Sequence, residues 1–214
     1  MTRIFLAAVL SAGCLWLSGC SSTADSQVAY VVADAPISEA QPVEQSAVSA
    51  SSAYAVRYCE SVAFQALNLA RVYLTDGRNK ELFFETFGRD PATEAMASQL
   101  FQEADFGFIS HHADFATNQL FSCATSEGVE VGQPREKARI CLARVDIPFY
   151  LSVVRGEGKP VNEAILNVSN TLQDRVVYPS DLIRTVATFI YASKGIERDR
   201  EIMSATLWTC MSAE

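Results

Sequence analysis

The chain has 214 residues and is acidic, with 25 aspartate and glutamate residues against 17 lysine and arginine residues and a net charge of −8 at pH 7. An acidic surface disfavours binding to nucleic acid and to anionic lipid headgroups, because both are themselves negatively charged. Apolar residues make up 49% of the chain, which indicates a globular protein and excludes one that is disordered throughout.

The first 22 residues form a distinct segment. Arg3 is followed by an apolar run that ends in Leu17-Ser18-Gly19-Cys20. The run is shorter than the roughly 18 to 20 residues of a membrane-spanning helix, and its length is typical of the apolar region of a secretory signal. The segment resembles the signal peptide and lipobox of a bacterial lipoprotein. An ordinary cleaved secretory signal, in which Cys20 has no special role, is the alternative.

The resemblance implies a membrane anchor. Residues 1–19 would be removed, and Cys20 would become the first residue, with a diacylglycerol on its thiol and a fatty acid such as palmitate on its amine. Two or three acyl chains anchor a protein firmly, because each buried methylene contributes about 0.8 kcal/mol. In the family, aspartate after the lipidated cysteine retains the protein at the inner membrane. Ser21 stands there, which implies the outer membrane, with the folded domain facing the periplasm.

The residues after the anchor read as a tether. Residues 21–52 contain eight serines, seven alanines, two prolines and four acidic residues, with no basic residue and no glycine. This composition predicts a solvated tether over residues 20–52, with an r.m.s. span of roughly 30 Å. Val28–Val32 is the apolar interruption, and it is either a short docking strand or a minor apolar island.

Helical periodicity predicts eight helices from Tyr54 onward. Apolar residues from Cys59 to Leu74 recur on one face of the first helix, and Asp76-Gly77 ends it. Asp90-Pro91 supplies an N-cap and a proline at the first position of the third helix. The fifth helix contains Pro148, which predicts a kink. The helices after the first run over about 82–87, 91–108, 112–123, 134–156, 160–172, 179–193 and 197–210.

The two halves of this helical region resemble each other. The last predicted helix of each half ends in a leucine, an aromatic residue, a hydroxyl residue and a cysteine, which are Leu120-Phe121-Ser122-Cys123 and Leu207-Trp208-Thr209-Cys210. Each of these cysteines follows an earlier cysteine at a similar interval, 64 and 69 residues. We therefore predict an all-α helical bundle of two similar four-helix units that could form one fused domain. The first half covers residues 53–133 and the second half residues 134–214. Chance resemblance between helical segments is the alternative.

The cysteines predict two disulfides. Cys14 leaves with the signal peptide and Cys20 is lipidated, so four cysteines remain, an even number in an oxidising compartment. Four cysteines allow three pairings. If each half is one unit, the predicted pairs are Cys59 with Cys123 and Cys141 with Cys210. In the chain-entropy model each loop adds about 4 kcal/mol of stability. No C-x-x-C spacing occurs, so we predict no metal site.

Adjacent histidines are the candidate for catalysis. His111 and His112 stand near Asp105 and Asp114, and Ser110 precedes them. A carboxylate-supported histidine could act as a general base, but adjacency in sequence does not make a triad. We expect these residues to be polar side chains at a helix start. The sequence predicts no enzyme activity and no cofactor.

Charge and aromatic residues are unevenly distributed. Residues 53–133 contain five basic and eleven acidic residues, so the first half could present an acidic face to a basic partner or simply be a solvated surface. A set of phenylalanines could either form a binding groove or pack in the core. The set is Phe83, Phe84, Phe87, Phe101, Phe106 and Phe108.

The sequence therefore predicts the location of the protein in the cell more specifically than its molecular role. We expect a lipid-anchored binding or scaffolding module whose partners are membrane lipid, through Cys20, and an envelope protein. One alternative is an assembly factor or periplasmic holdase resembling the pilotins of secretion systems, a resemblance of architecture alone. A second alternative is a hydrolase that uses His111 and His112.

Overall fold

The fold is entirely α-helical within the described part of the chain, as predicted. This computed structural model describes residues 44–193 and 195–213, with side chains from residue 52 onward. The predicted signal peptide, Cys20 and residues 21–43 of the predicted tether lie outside it. None of the described helices is long and apolar enough to cross a membrane. The helices are α1 (Glu44–Thr75), α2 (Lys80–Phe87), α3 (Pro91–Asp105), α4 (His112–Ser126), α5 (Arg135–Arg144), α6 (Asp146–Gly156), α7 (Val161–Thr171), α8 (Ser180–Ala192) and α9 (Ile196–Ser212).

Helix α1 begins earlier than the apolar periodicity indicates. It starts at Glu44, so residues 44–52 of the predicted tether are helical. Periodicity detects the buried face of a helix, and the apolar face of α1 becomes regular only from Cys59. Alanine has the highest helix propensity, and Ala47, Ala50 and Ala53 favour extension of the helix towards its N-terminus.

The start of α3 matches its sequence signal. The Asp90 side chain accepts hydrogen bonds from the backbone N–H groups of Ala92 and Thr93, both at 3.1 Å, and Pro91 occupies the first position. The helix ends at Asp105, shorter than predicted, because Gly107 takes a left-handed conformation with φ of 74° that ends the α-helix. The connection to α4 therefore begins before Phe108.

The predicted fifth helix is divided in two, so the prediction of a single kinked helix is wrong. Helix α5 ends at Arg144 and α6 begins at Asp146, with Val145 donating to the Leu142 carbonyl at 3.2 Å in a tighter turn. Pro148 has no N–H to donate to the Arg144 carbonyl, and its ring crowds that carbonyl. The break places Asp146 at the first position of a new helix.

Both predicted disulfides are present, Cys59–Cys123 and Cys141–Cys210. The first joins α1 to α4, and the second joins α5 to α9. Helix α9 also contacts α1, because Trp208 Nε1 donates to Glu60 Oε2 at 2.8 Å. Buried side chains of the two halves belong to one contiguous hydrophobic core. The unit boundaries and the duplication stay predictions.

Most of the predicted phenylalanine set packs in the core. Phe83 is fully buried, Phe101 is nearly so, and Phe84 and Phe87 pack against them as partly buried residues. The remaining two, Phe106 and Phe108, are 67% and 72% exposed. The core interpretation is therefore correct for four of the six residues, and the exposed pair follows α3.

Candidate functional site

A cluster of polar side chains lies where the two halves of the domain meet. The first half contributes residues of α1 and of the start of α4, and the second half contributes the start of α6 and the loop before α8. Sequence reasoning singled out the histidines but missed the buried carboxylate and the tyrosine. The cluster consists of Arg71, His111, His112, Asp146 and Tyr178.

Asp146 is the centre of this cluster and is completely buried. Its Oδ1 accepts a hydrogen bond from Arg71 Nη2 at 2.5 Å, and its Oδ2 contacts His112 Nε2 at 2.6 Å and accepts from the Tyr178 hydroxyl at 3.1 Å. Burial alone would raise the pKa of Asp146. The hydrogen bond from His112 and the charge of Arg71 outweigh burial and hold the pKa of this carboxyl below its usual value.

His111 is the N-cap of α4, which confirms the expectation of polar residues at a helix start. Its ring Nδ1 accepts a hydrogen bond from the backbone N–H of Ala113 at 3.1 Å. The backbone N–H of His111 donates to Asp114 Oδ2 at 2.8 Å, which completes a capping box. Because Nδ1 accepts, the proton of the neutral ring is on Nε2, which lies 3.4 Å from the Tyr178 hydroxyl. Burial and the neighbouring His112 lower the pKa of His111 to about 4.

These contacts form a directed chain of hydrogen bonds. The ring of His111 donates to Tyr178, and Tyr178 donates to Asp146. Burial, followed by the charge of Asp146, raises the pKa of Tyr178, which keeps its hydroxyl protonated as a donor. The guanidinium of Arg71 lies 3.9 Å from the centroid of the Phe149 ring and makes a cation–π contact with it.

The cluster does not have the character of a metal centre. One ligand atom each from His111, His112 and Asp146 lies within 4.8 Å of the others. However, His112 and Asp146 are already in direct contact at 2.6 Å, closer than two ligands of one zinc ion. Arg71 supplies the positive charge that Asp146 needs, and Nδ1 of His111 is occupied as an acceptor, which leaves the proton on the nitrogen that would bind metal.

The contacts of the cluster also do not form a catalytic triad. Ser110 Oγ donates to Asp114 Oδ2 at 3.2 Å, not to a histidine. Asp105, which stands near the histidines in sequence, instead pairs with Lys80 at 3.1 Å on the surface. A small pocket lies away from this cluster, between Val56, Leu120, Val131 and Trp208. Its volume is about 10 Å³, which is room for about one water molecule.

Comparisons with known proteins find no match for this chain. No family model matches it, and neither a curated protein nor a solved structure does.

A second buried ion pair lies entirely within the second half. Arg155 Nη2 contacts Asp199 Oδ2 at 2.6 Å, and Ser193 Oγ donates to Asp199 Oδ1 at 3.1 Å. Arg155 also donates to the carbonyl of Ile190 near the end of α8. These contacts join α6, α8 and α9. Asp199 is 2% exposed and the Arg155 side chain is partly exposed, so the pair joins these helices through a buried carboxylate.

Proposed function

We propose that the protein is a lipid-anchored binding or scaffolding module of the bacterial cell envelope, held at the outer membrane by acyl chains on Cys20. The observation that carries the proposal is the segment of Arg3, a short apolar run and Leu17-Ser18-Gly19-Cys20. Two disulfides in the folded domain support it, because such bonds persist in oxidising compartments.

An exposed aromatic pair supports a binding role. The rings of Phe106 and Phe108 lie 5.8 Å apart, and Gly107 between them has a positive φ. Aromatic side chains often contribute most of the binding energy at protein interfaces. The same pair also fits the alternative of an assembly factor that binds a segment of an envelope subunit. Deletion of the gene should then mislocalise an outer-membrane oligomer, whereas a scaffold leaves such oligomers in place.

The anchor is tested by labelling and fractionation. In bacteria grown with radioactive palmitate, we expect the wild-type chain to incorporate label and to fractionate with the outer membrane. The Cys20→Ala variant should do neither. Cys14→Ala is the matched control, because it removes a cysteine of the same segment and should leave labelling unchanged. Label in the Cys20→Ala protein, or an unlabelled wild-type protein, would contradict the proposal.

A further inference from the structure

The structure points to His111 as a proton-operated latch between the two halves of the domain. With a neutral ring, His111 fixes the start of α4 and holds it against Tyr178 of the second half; protonation of the ring releases both contacts. The latch goes beyond the proposed function and does not depend on the anchor at Cys20.

The geometry of His111 requires a neutral ring. Both ring nitrogens are used, Nδ1 as an acceptor from the Ala113 N–H and Nε2 as a donor towards Tyr178. A proton on Nδ1 would face the Ala113 N–H donor directly, so the cap hydrogen bond would be lost. The N-terminus of α4 also carries the positive end of the helix dipole, which further disfavours a cation at this position.

The two carboxylates near His111, those of Asp114 and Asp146, are already paired with arginines and would stabilise a protonated His111 ring less than free carboxylates would. Asp114 is already paired with Arg139 of α5 at 2.5 Å and caps the backbone of α4. Asp146 of α6 already accepts three hydrogen bonds. The ring of His112 stacks on that of His111, with centroids 3.9 Å apart. The titratable and charged groups that face the ring or reach it through Asp146 are His112, Asp114, Arg139, Asp146, Tyr178 and Arg71.

Protonation therefore acts at the junction of the halves. Loss of the cap frees the first turn of α4, and the ring must turn away from Ala113. This movement withdraws Nε2 from Tyr178, which removes this contact between the N-cap of α4 and the loop before α8. We expect local opening of this junction, while the Cys59–Cys123 disulfide still holds the other end of α4 to α1.

The direction of the pH effect follows from the histidine. The pKa of His111 falls from an ordinary value of 6.5 to about 4 in the folded protein. The unfolded chain therefore binds the proton first as pH falls, so stability is lost as the pH drops from about 6.5 towards 4. Between pH 7 and pH 5 the equilibrium constant for unfolding should rise by about 20-fold from this group. The carboxyls of Asp114 and Asp146 have pKa values below 3.8 and stay ionised in this window.

Nuclear magnetic resonance of the wild-type domain tests the latch directly. We expect the His111 ring to titrate near pH 4. The Ala113 amide should lose hydrogen-exchange protection between pH 6.5 and 4.5, after correction for intrinsic exchange. A His111 ring that titrates near 6.5, or an Ala113 amide whose protection does not change, would overturn the proposal.

A variant separates the latch from general acid lability. Asparagine is a good N-cap and does not titrate, so His111→Asn should unfold in urea with a midpoint that changes much less between pH 7 and pH 5 than that of the wild type. If His111→Asn does not fold, His111→Ser supplies the same test with another capping side chain. An equal pH dependence in the wild type and the variant would contradict the latch.

Discussion

At Asp146 a buried carboxylate contacts side chains that are 75, 34 and 32 residues away in the sequence. Arg71 reaches it from α1, His112 from α4 and Tyr178 from the loop before α8. A buried charge is costly unless it is paired and hydrogen-bonded, and here the contacts with His112 and Arg71 outweigh the cost of burial. Asp146 therefore joins three separate elements of the two halves at one buried point.

Replacement of Asp146 should destabilise the protein strongly. The Asp146→Asn side chain keeps the shape but leaves Arg71 buried without its carboxylate, so we expect a loss of about 3 to 5 kcal/mol in the free energy of unfolding. Urea denaturation at pH 7 measures it. Asp105→Asn is the control, because both side chains of the Lys80–Asp105 pair are more than half exposed. This variant should lower the free energy of unfolding by less than about 1 kcal/mol. Equal effects of the two variants would contradict the role of Asp146.

The sequence predicts the location of the histidines but not their partner. An N-cap is a local feature, so the polar residues before Ala113 indicate a helix start at His111 and His112. The contact to Asp146 depends on how α6 packs against α4, and no local pattern encodes it. The acidic residue two positions before Pro148 is the one sequence signal, because proline near a helix start places an upstream carboxylate at the new N-terminus.

Among the helices, α3 has the clearest N-terminal cap. The Asp90 carboxylate accepts two backbone hydrogen bonds and a third from the Thr93 hydroxyl at 2.5 Å. We expect Asp90→Ala to lower the urea midpoint of unfolding, since two backbone donors lose their acceptor. Asp90→Asn keeps the capping geometry and should cost clearly less. Urea midpoints of the two variants measure the difference, and an Asp90→Asn variant as unstable as Asp90→Ala would argue against capping.

Helix boundaries that depend on local chemistry are predictable, and those that depend on packing are not. The Asp90-Pro91 pair predicts the start of α3 correctly, and Asp76-Gly77 predicts the end of α1 to within a residue. The division between α5 and α6 is not predictable in this way. The apolar pattern continues through Val145 and predicts one kinked helix, whereas the backbone forms two helices. The first residues of α1, 44–52, have no regular apolar face, so the sequence predicts a tether there and not a helix.

The whole domain has one contiguous core that crosses the boundary of the two halves. Trp208 contacts Glu60, and Arg71 contacts Asp146, so neither half can unfold without exposing partners in the other. We expect a single unfolding transition at pH 7 with both disulfides intact. Calorimetric and van't Hoff enthalpies should agree, with a ratio near one. Two resolved transitions would instead indicate two independently stable units.

The all-α class and the two disulfides follow from periodicity and from the count of cysteines, and the structure confirms both. The duplication remains a prediction, because helices of similar composition occur in unrelated bundles. In the structure the halves also differ in their buried ion pairs. Asp199 pairs with Arg155 inside the second half, whereas Arg71 of the first half reaches across to Asp146.

The order of the cysteines has a consequence for how the chain matures. Each disulfide joins cysteines that are consecutive among the four, Cys59 with Cys123 and then Cys141 with Cys210. If the chain is exported from its N-terminus, Cys59 meets Cys123 before Cys141 or Cys210 emerges. Once that first bond has formed, Cys141 and Cys210 are the two thiols of the four that are left to pair. Oxidation in the order of emergence then yields the native bonds directly, and the cell would need no isomerase to rearrange them.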